Sequence, residues 1–279
     1  MAAETSRDLK QEGEVVLIDV HEGGKIWVIT MNRPHRMNAL GGGMAGALND
    51  AFEAYRDDKQ ARVAILTGAG HRAFCSGADL IETAEMRQAQ ARGEAPPPGA
   101  MRRLELANMS ESLGLWKPTI GALNGFAIAG GFMLAMQCDI RIMAEHARVG
   151  IAEARWNMPG ASWMAPLCRQ MPLGCALELT MWGDTQYDAQ RCYQIGWAQA
   201  IAPKEELMSV AMKYADRMLD MGPRAVRNNK EMIYRGAYME PSSSMRFGTA
   251  LEHNLRGMKD SIEGPLAFSE KRRPNFLDE

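Results

Sequence analysis

The sequence predicts an α/β fold with a helical C-terminal extension. Up to about residue 204, short runs rich in β-branched and other apolar residues alternate with amphipathic stretches, the pattern of layered strand–helix units. From about Glu205 the pattern is helical to the end, interrupted only at "GP" and "EPSSS". The expected organisation is therefore an α/β core over residues 1–204 and a helical part over 205–279. A chain of 279 residues suits one large domain, or one domain with an appendage.

The elements follow in order. "GEVVLIDVHEGGKIWVITMNRP" contains two β-rich runs around "HEGGK", a hairpin signal, and Pro34 ends the second run. In "MNALGGGMAGALNDAFEAYRDD", the residues Leu40, Met44, Leu48, Phe52 and Tyr55 fall on one helical face. The triple glycine Gly41–Gly43 matches neither the G-x-x-x-x-G-K-[ST] nor the G-x-G-x-x-G phosphate-binding pattern. "RVAILTG" reads as a buried strand leading into the loop "HRAFCSGADL", after which "ADLIETAEMRQAQARG" is helical. "GEAPPPGA" is a Pro/Gly break expected to be exposed, and "MRRLELANMSESLGLW" is helical again. "KPTIGALNGFAIAGGFMLAMQCDIRIMA" reads as strand, Asn-Gly turn, glycine-bearing helix start, short apolar helix and strand. "ARVGIAEARWNMPGASWMAPLCRQM" reads as loop and helix, and the segment from Leu173 to Pro203 as two helices around a Gly-Asp turn.

Composition narrows the function classes. The net charge of −2 gives no basic field for nucleic acid or an anionic membrane. No run of eighteen apolar residues is present, and the first residues lack the apolar core of a signal peptide, so a cytoplasmic location is expected. Five cysteines without a C-x-x-C pair read as reduced thiols. The histidines His21, His35, His71, His146 and His253 are scattered, with no H-E-x-x-H, and no metal site is expected. The 22 methionines fit flexible packing, or an adaptable apolar pocket.

Two turns are the candidates for chemistry. "FCSGADL" and "AIAGGFML" each lead through small residues from an extended segment into a helix. Such turns leave backbone N–H groups free, and a helix start adds positive potential. Two converging N–H groups would stabilise negative charge on a carbonyl oxygen. Glycines that merely permit turning are the structural alternative. Ser76 has no G-x-S-x-G surroundings, so its hydroxyl is not read as a nucleophile, and Cys75 reads as small loop filler.

The series "NRPHRMNAL", "RVAILTGAGHRAFCSGADL", "KPTIGALNGFAIAGGFMLAMQCDIRI", "GIAEARWNMPG" and "EGPLAFSEKRRPNF" resembles the crotonase superfamily of enoyl-CoA hydratases and isomerases, from about Val15 to Phe276. The resemblance implies a spiral of ββα turns with a helical C-terminal domain, assembled as a homotrimer or a dimer of trimers. It implies an oxyanion hole from the N–H groups of Ser76 and Gly130, with Ser76, Gly77, Ala78 and Asp79 bordering coenzyme A. Phe268 and Lys271 would reach the CoA, often across a subunit boundary. Coenzyme A would enter as part of the substrate, with no separate cofactor. Hydratases of this family use two glutamates. Here Met133 stands at the first position and Glu153, in "AE", at the second. A thioether cannot shuttle a proton, which leaves Glu153 as the sole acid/base.

That loss shapes the functional expectation: an enoyl-CoA hydratase/isomerase-type enzyme working through a thioester enolate. Met133, Phe132, Trp156 and Trp163 suggest a bulky apolar acyl group. "EARWNMPG" is one residue shorter than usual after the glutamate, and Asn157 there reads as a turn residue. Asp79 reads as a helix cap and Asp139 as a structural hydrogen-bonder. Alternatives on the same scaffold are a thioester hydrolase, a carbon–carbon lyase, a decarboxylase, or an inactive acyl-CoA- or RNA-binding relative. The mixed charge of "LNDAFEAYRDDKQ" argues against the RNA reading.

Overall fold

The computed structural model describes residues 14–95 and 108–279. The hairpin forms as the sequence predicts: β1 (Val16–His21) pairs antiparallel with β2 (Ile26–Met31). Next comes α1 (Met44–Asp57), whose inner face buries Met44, Leu48, Phe52 and Tyr55. Leu40 is buried too, but it precedes the helix, because Gly43 takes a left-handed conformation at the N-cap. Most of the Pro/Gly break and the first half of the helix expected after it lie outside the described residues.

Three ββα turns follow. Strands β3 (Val63–Gly68) and β4 (Ala73–Cys75) lead into α2 (Leu80–Ala91). Strands β5 (Thr119–Leu123) and β6 (Phe126–Ile128) lead into α3 (Gly130–Gln137). Strands β7 (Ile140–Ala144) and β8 (Arg148–Gly150) lead through short helical turns to α4 (Leu173–Met181), and β9 (Gln186–Asp188) and β10 (Ala200–Ala202) complete the sheets. The first strand of each turn joins one sheet and the second joins another. The six-stranded sheet has the order β1-β2-β3-β5-β7-β10 and the four-stranded sheet β4-β6-β8-β9. Neighbours are parallel except at β1–β2 and β8–β9. This is the spiral of ββα turns that the resemblance implies.

Strands β4, β6, β8, β9 and β10 are absent from the sequence reading, which takes Ala73–Cys75 as part of a loop and Phe126–Ile128 as part of the turn into a helix. Each has three residues, too short for an alternating pattern to show. The turn at Asn124-Gly125 carries the chain from one sheet to the other, and the Asn124 amide donates to the carbonyls of Gly68 (2.8 Å) and Gly70 (2.9 Å).

The remaining long helices are α5 (Leu207–Leu219), α6 (Pro223–Gly236), α7 (Pro241–His253) and α8 (Asp260–Glu270). Helix α5 covers β3, β5 and β7, and its Leu207, Ala211 and Ala215 join the main core. The segment beyond residue 205 thus begins by closing the first sheet. Helix α6 is tied to the end of α3: Asp139 accepts from the Tyr234 hydroxyl at 3.0 Å and pairs with Lys230 at 2.9 Å. Asp139 also accepts from the Thr119 N–H at 2.8 Å, the structural role expected for it.

Candidate active site

The two glycine turns lie side by side. Strands β4 and β6 are parallel neighbours, so the turns that follow them emerge at the same edge. Gly77 has φ +87°, and a Cβ there would lie 2.8 Å from the Ile128 carbonyl oxygen and 2.9 Å from the Gly130 nitrogen. Only glycine allows both that backbone conformation and that approach. A Cβ on Gly131 would lie 1.9 Å from the Cys75 carbonyl oxygen, so α3 can start against β4 only without one. Ala129, between β6 and α3, has φ +55° and ψ −122°, a conformation that costs a non-glycine residue about 1–3 kcal/mol.

One expected donor changes. The Ser76 N–H donates to the Met37 carbonyl at 3.0 Å and is not available to a ligand. Among the described residues, the N–H groups of Ala78 and Gly130 have no acceptor. They are close together: a Cβ on Gly130 would sit 3.7 Å from the Ala78 nitrogen. The two free N–H groups at the paired turns are therefore those of Ala78 and Gly130, and Ser76 contributes part of the wall. Gly130 opens a helix of eight residues, whose N-terminal end adds positive potential.

A cavity of about 430 Å³ opens over these N–H groups. Its lining is largely apolar and includes Leu40, Ile128, Met133, Met158 and Trp163, with Trp156 at the exposed rim. Ser76 and Ser162 bring hydroxyls, and among the described residues Glu153 is the one titratable side chain in the lining. Gly77 and Asp79 do not reach the cavity. Asp79 is buried and caps α2, its carboxylate accepting from the N–H groups of Ile81 and Glu82. Phe132 also lies outside the cavity, stacked on Trp197 at 4.9 Å behind the wall. Phe268 is 87% exposed, and Lys271 lies in an exposed left-handed turn at the end of α8; neither lines this chain's own cavity.

Glu153 sits between β8 and a one-turn 3-10 helix, Ala154–Trp156. One of its carboxyl oxygens is buried and has no hydrogen-bond partner. Burial pushes its pKa above the ordinary carboxylate range, opposed by backbone hydrogen bonds at Glu153 and Ala152. A Cβ on Gly160 would lie 2.8 Å from Glu153 Cγ, so the Pro-Gly pair makes room for this side chain. Asn157 adopts φ +50° and serves the turn, as its residue type suggests.

Cys75 is fully buried and its thiol is pushed up to about 12 by desolvation, which excludes a thiolate nucleophile at neutral pH. Among the described residues, no three His, Cys, Asp or Glu side chains are grouped to hold a metal ion, and no helix is long and apolar enough to cross a membrane.

The spiral and its paired turns match known proteins. The sequence pattern described as enoyl-CoA hydratase/isomerase matches residues 21–279. The chain belongs to the enoyl-CoA hydratase/isomerase family. It is 36% identical over 260 residues to a carnitinyl-CoA dehydratase of Proteus mirabilis, covering 91% of this chain and 95% of that protein. It is 32% identical over 252 residues to a short-chain-enoyl-CoA hydratase of Clostridium acetobutylicum, covering 90% and 93%. The crystal structure of an enoyl-CoA hydratase from Bacillus anthracis superposes with a TM-score of 0.85 at 31% identity, covering 95% of this chain and all of that one. This member of the family is thus an acyl-CoA-processing enzyme of the enoyl-CoA hydratase/isomerase type.

Proposed function

We propose that this enoyl-CoA hydratase/isomerase family member moves a proton along an apolar enoyl thioester, shifting its double bond, with Glu153 as the only acid/base. The observation that carries this reading is the single titratable side chain that the described residues bring to the cavity, which also holds two free N–H groups. The thioester oxygen accepts from Ala78 and Gly130 N–H. Glu153 takes a proton from the carbon next to the carbonyl, and the electron pair spreads onto that oxygen as a dienolate. The same carboxyl then returns the proton two carbons further along, and the double bond comes into conjugation. Atoms and charge balance without a second acid.

Met133 supports isomerisation over two-carboxylate hydration, because it lines the wall where a second proton carrier would stand. Hydration is the second reading. It draws on the dehydratase and hydratase names of the relatives, and on the Ser76 and Ser162 hydroxyls, which could hold a water. Coenzyme A arrives as part of the substrate. The helical segment from residue 205 covers the CoA and joins subunits in a trimer or pair of trimers, so that Phe268 and Lys271 meet the CoA of a neighbouring copy. The enzyme works in the cytoplasm.

The test is product analysis on a panel of α,β- and β,γ-unsaturated acyl-CoA thioesters, aliphatic and aromatic. A shifted double bond without incorporation of solvent oxygen is expected. A hydroxyacyl-CoA product would establish the second reading, and free CoA would overturn both in favour of thioester hydrolysis.

A further inference from the structure

The arginine of "NRP" and the triple glycine have no place in the cavity, yet they border its oxyanion turn from behind. Arg33 is buried. Its Nη1 donates to the Ala39 carbonyl at 3.1 Å, and its Nη2 lies 3.1 Å from Glu82 Oε1 and 3.4 Å from Asp79 Oδ2. Arg36 Nε adds a longer contact, 3.8 Å, to the same Asp79 oxygen. The second Glu82 oxygen accepts from the Gly42 N–H at 2.8 Å. The glycines are small because this cluster presses on them. A Cβ on Gly41 would lie 2.3 Å from Glu82 Oε2 and 2.6 Å from Asp79 Cβ, and one on Gly42 would lie 3.0 Å from Arg33 Cζ.

The backbone completes the brace. Ser76 N–H donates to Met37 O at 3.0 Å, and Leu40 N–H donates to Gly77 O at 2.8 Å. The segment 37–42 thus holds both residues that precede Ala78, and the ion cluster holds Asp79, which follows it. A planar guanidinium bridging two carboxylates and a carbonyl fixes their relative positions more tightly than an ammonium can.

We propose that Arg33, acting through Asp79 and Glu82, is a positioning residue that aims the Ala78 N–H at the thioester oxygen. This inference rests on the oxyanion reading above. Arg33 touches no substrate, and its effect appears in the polarisation of the bound carbonyl.

The experiment binds an aryl-conjugated enoyl-CoA to protein carrying Glu153→Gln, so that the ligand is not consumed, and records its ultraviolet absorption. Polarisation of the carbonyl by the two N–H groups shifts that band to longer wavelength. Adding Arg33→Lys is expected to shrink the shift. In the otherwise native enzyme, Arg33→Lys is expected to lower kcat about 10–100-fold with little change in KM, since full loss of one such donor costs about 10²–10³-fold. Glu82→Gln keeps the acceptor for Gly42 but loses the charge, and serves as the milder variant should Arg33→Lys not fold. It is expected to reduce the shift in the same direction. A native-size shift in a folded Arg33→Lys protein, or in Glu82→Gln if the former does not fold, overturns the inference and leaves the oxyanion reading standing. No shift with Glu153→Gln alone, despite binding, overturns the oxyanion reading and the inference with it.

Discussion

Replacing Glu153 with glutamine should separate chemistry from folding. The amide is nearly isosteric, so the cavity keeps its shape, but it cannot take up a proton. Among the described residues no other titratable side chain lines the cavity to substitute for it. Turnover should therefore fall by about 10²–10⁴-fold, the usual contribution of a positioned acid or base, while acyl-CoA binding persists. The same change should make the protein more stable at pH above the folded pKa of Glu153. Burial raises the Glu153 pKa in the folded state, so the folded protein binds this proton more tightly than the unfolded chain does. Stability from that proton is present at low pH and is lost as pH rises through the folded pKa. At pH above the folded pKa the native enzyme holds an ionised carboxylate with an unpartnered buried oxygen, and the glutamine variant does not. The assay is thermal unfolding of both proteins from pH 4 to pH 8, beside turnover. The glutamine variant should melt higher at pH 8, with the gap closing as the pH is lowered. Undiminished turnover would refute the assignment of the acid/base. A variant less stable at pH 8 would show that the carboxylate is partnered in solution.

Three further outcomes follow from the geometry. Met133→Glu adds a second carboxyl to the wall facing the cavity; product analysis should show hydrated thioester rising at the expense of the isomer, and thermal unfolding should show a lower melting temperature from burying an acid. Gly77→Ala forces a side chain into φ +87° and within 2.9 Å of Gly130 N, so denaturant unfolding should show a loss of at least about 1–3 kcal/mol, with activity falling as the two donors separate. In alkylation at pH 8 read by mass spectrometry, exposed Cys168 should react fast while buried Cys75, Cys138 and Cys192, each pushed up to about 12 by desolvation, stay protected, and activity should survive this single modification.

Much of the architecture is legible in the sequence, because it depends on which residue types recur and at what spacing. The β1–β2 hairpin, the buried strand at Val63–Gly68, the α1 face and the long C-terminal helices all have enough residues for periodicity to show. Met133 and Glu153 are singled out for another reason: the family resemblance, which sets Met133 three residues after Gly130 and Glu153 in "AE". The three-residue strands β4, β6 and β8–β10 are not legible, since pairing with neighbours distant in the chain defines them.

The oxyanion donors show where sequence reading stops. A turn of small residues announces that N–H groups are free, but not which ones. That choice falls to the Met37 carbonyl, which takes the Ser76 N–H and leaves Ala78's. Likewise Gly43 serves its own helix cap, but the smallness of Gly41 and Gly42 is explained only where Arg33, Asp79 and Glu82 press against them. Phe132 and Trp163 look alike as apolar neighbours of the site, yet one backs the wall and the other lines it. Residue types and spacings fix what groups are available. The direction in which a backbone N–H points depends on local dihedrals and on acceptors brought close by folding, so only the tertiary structure decides it.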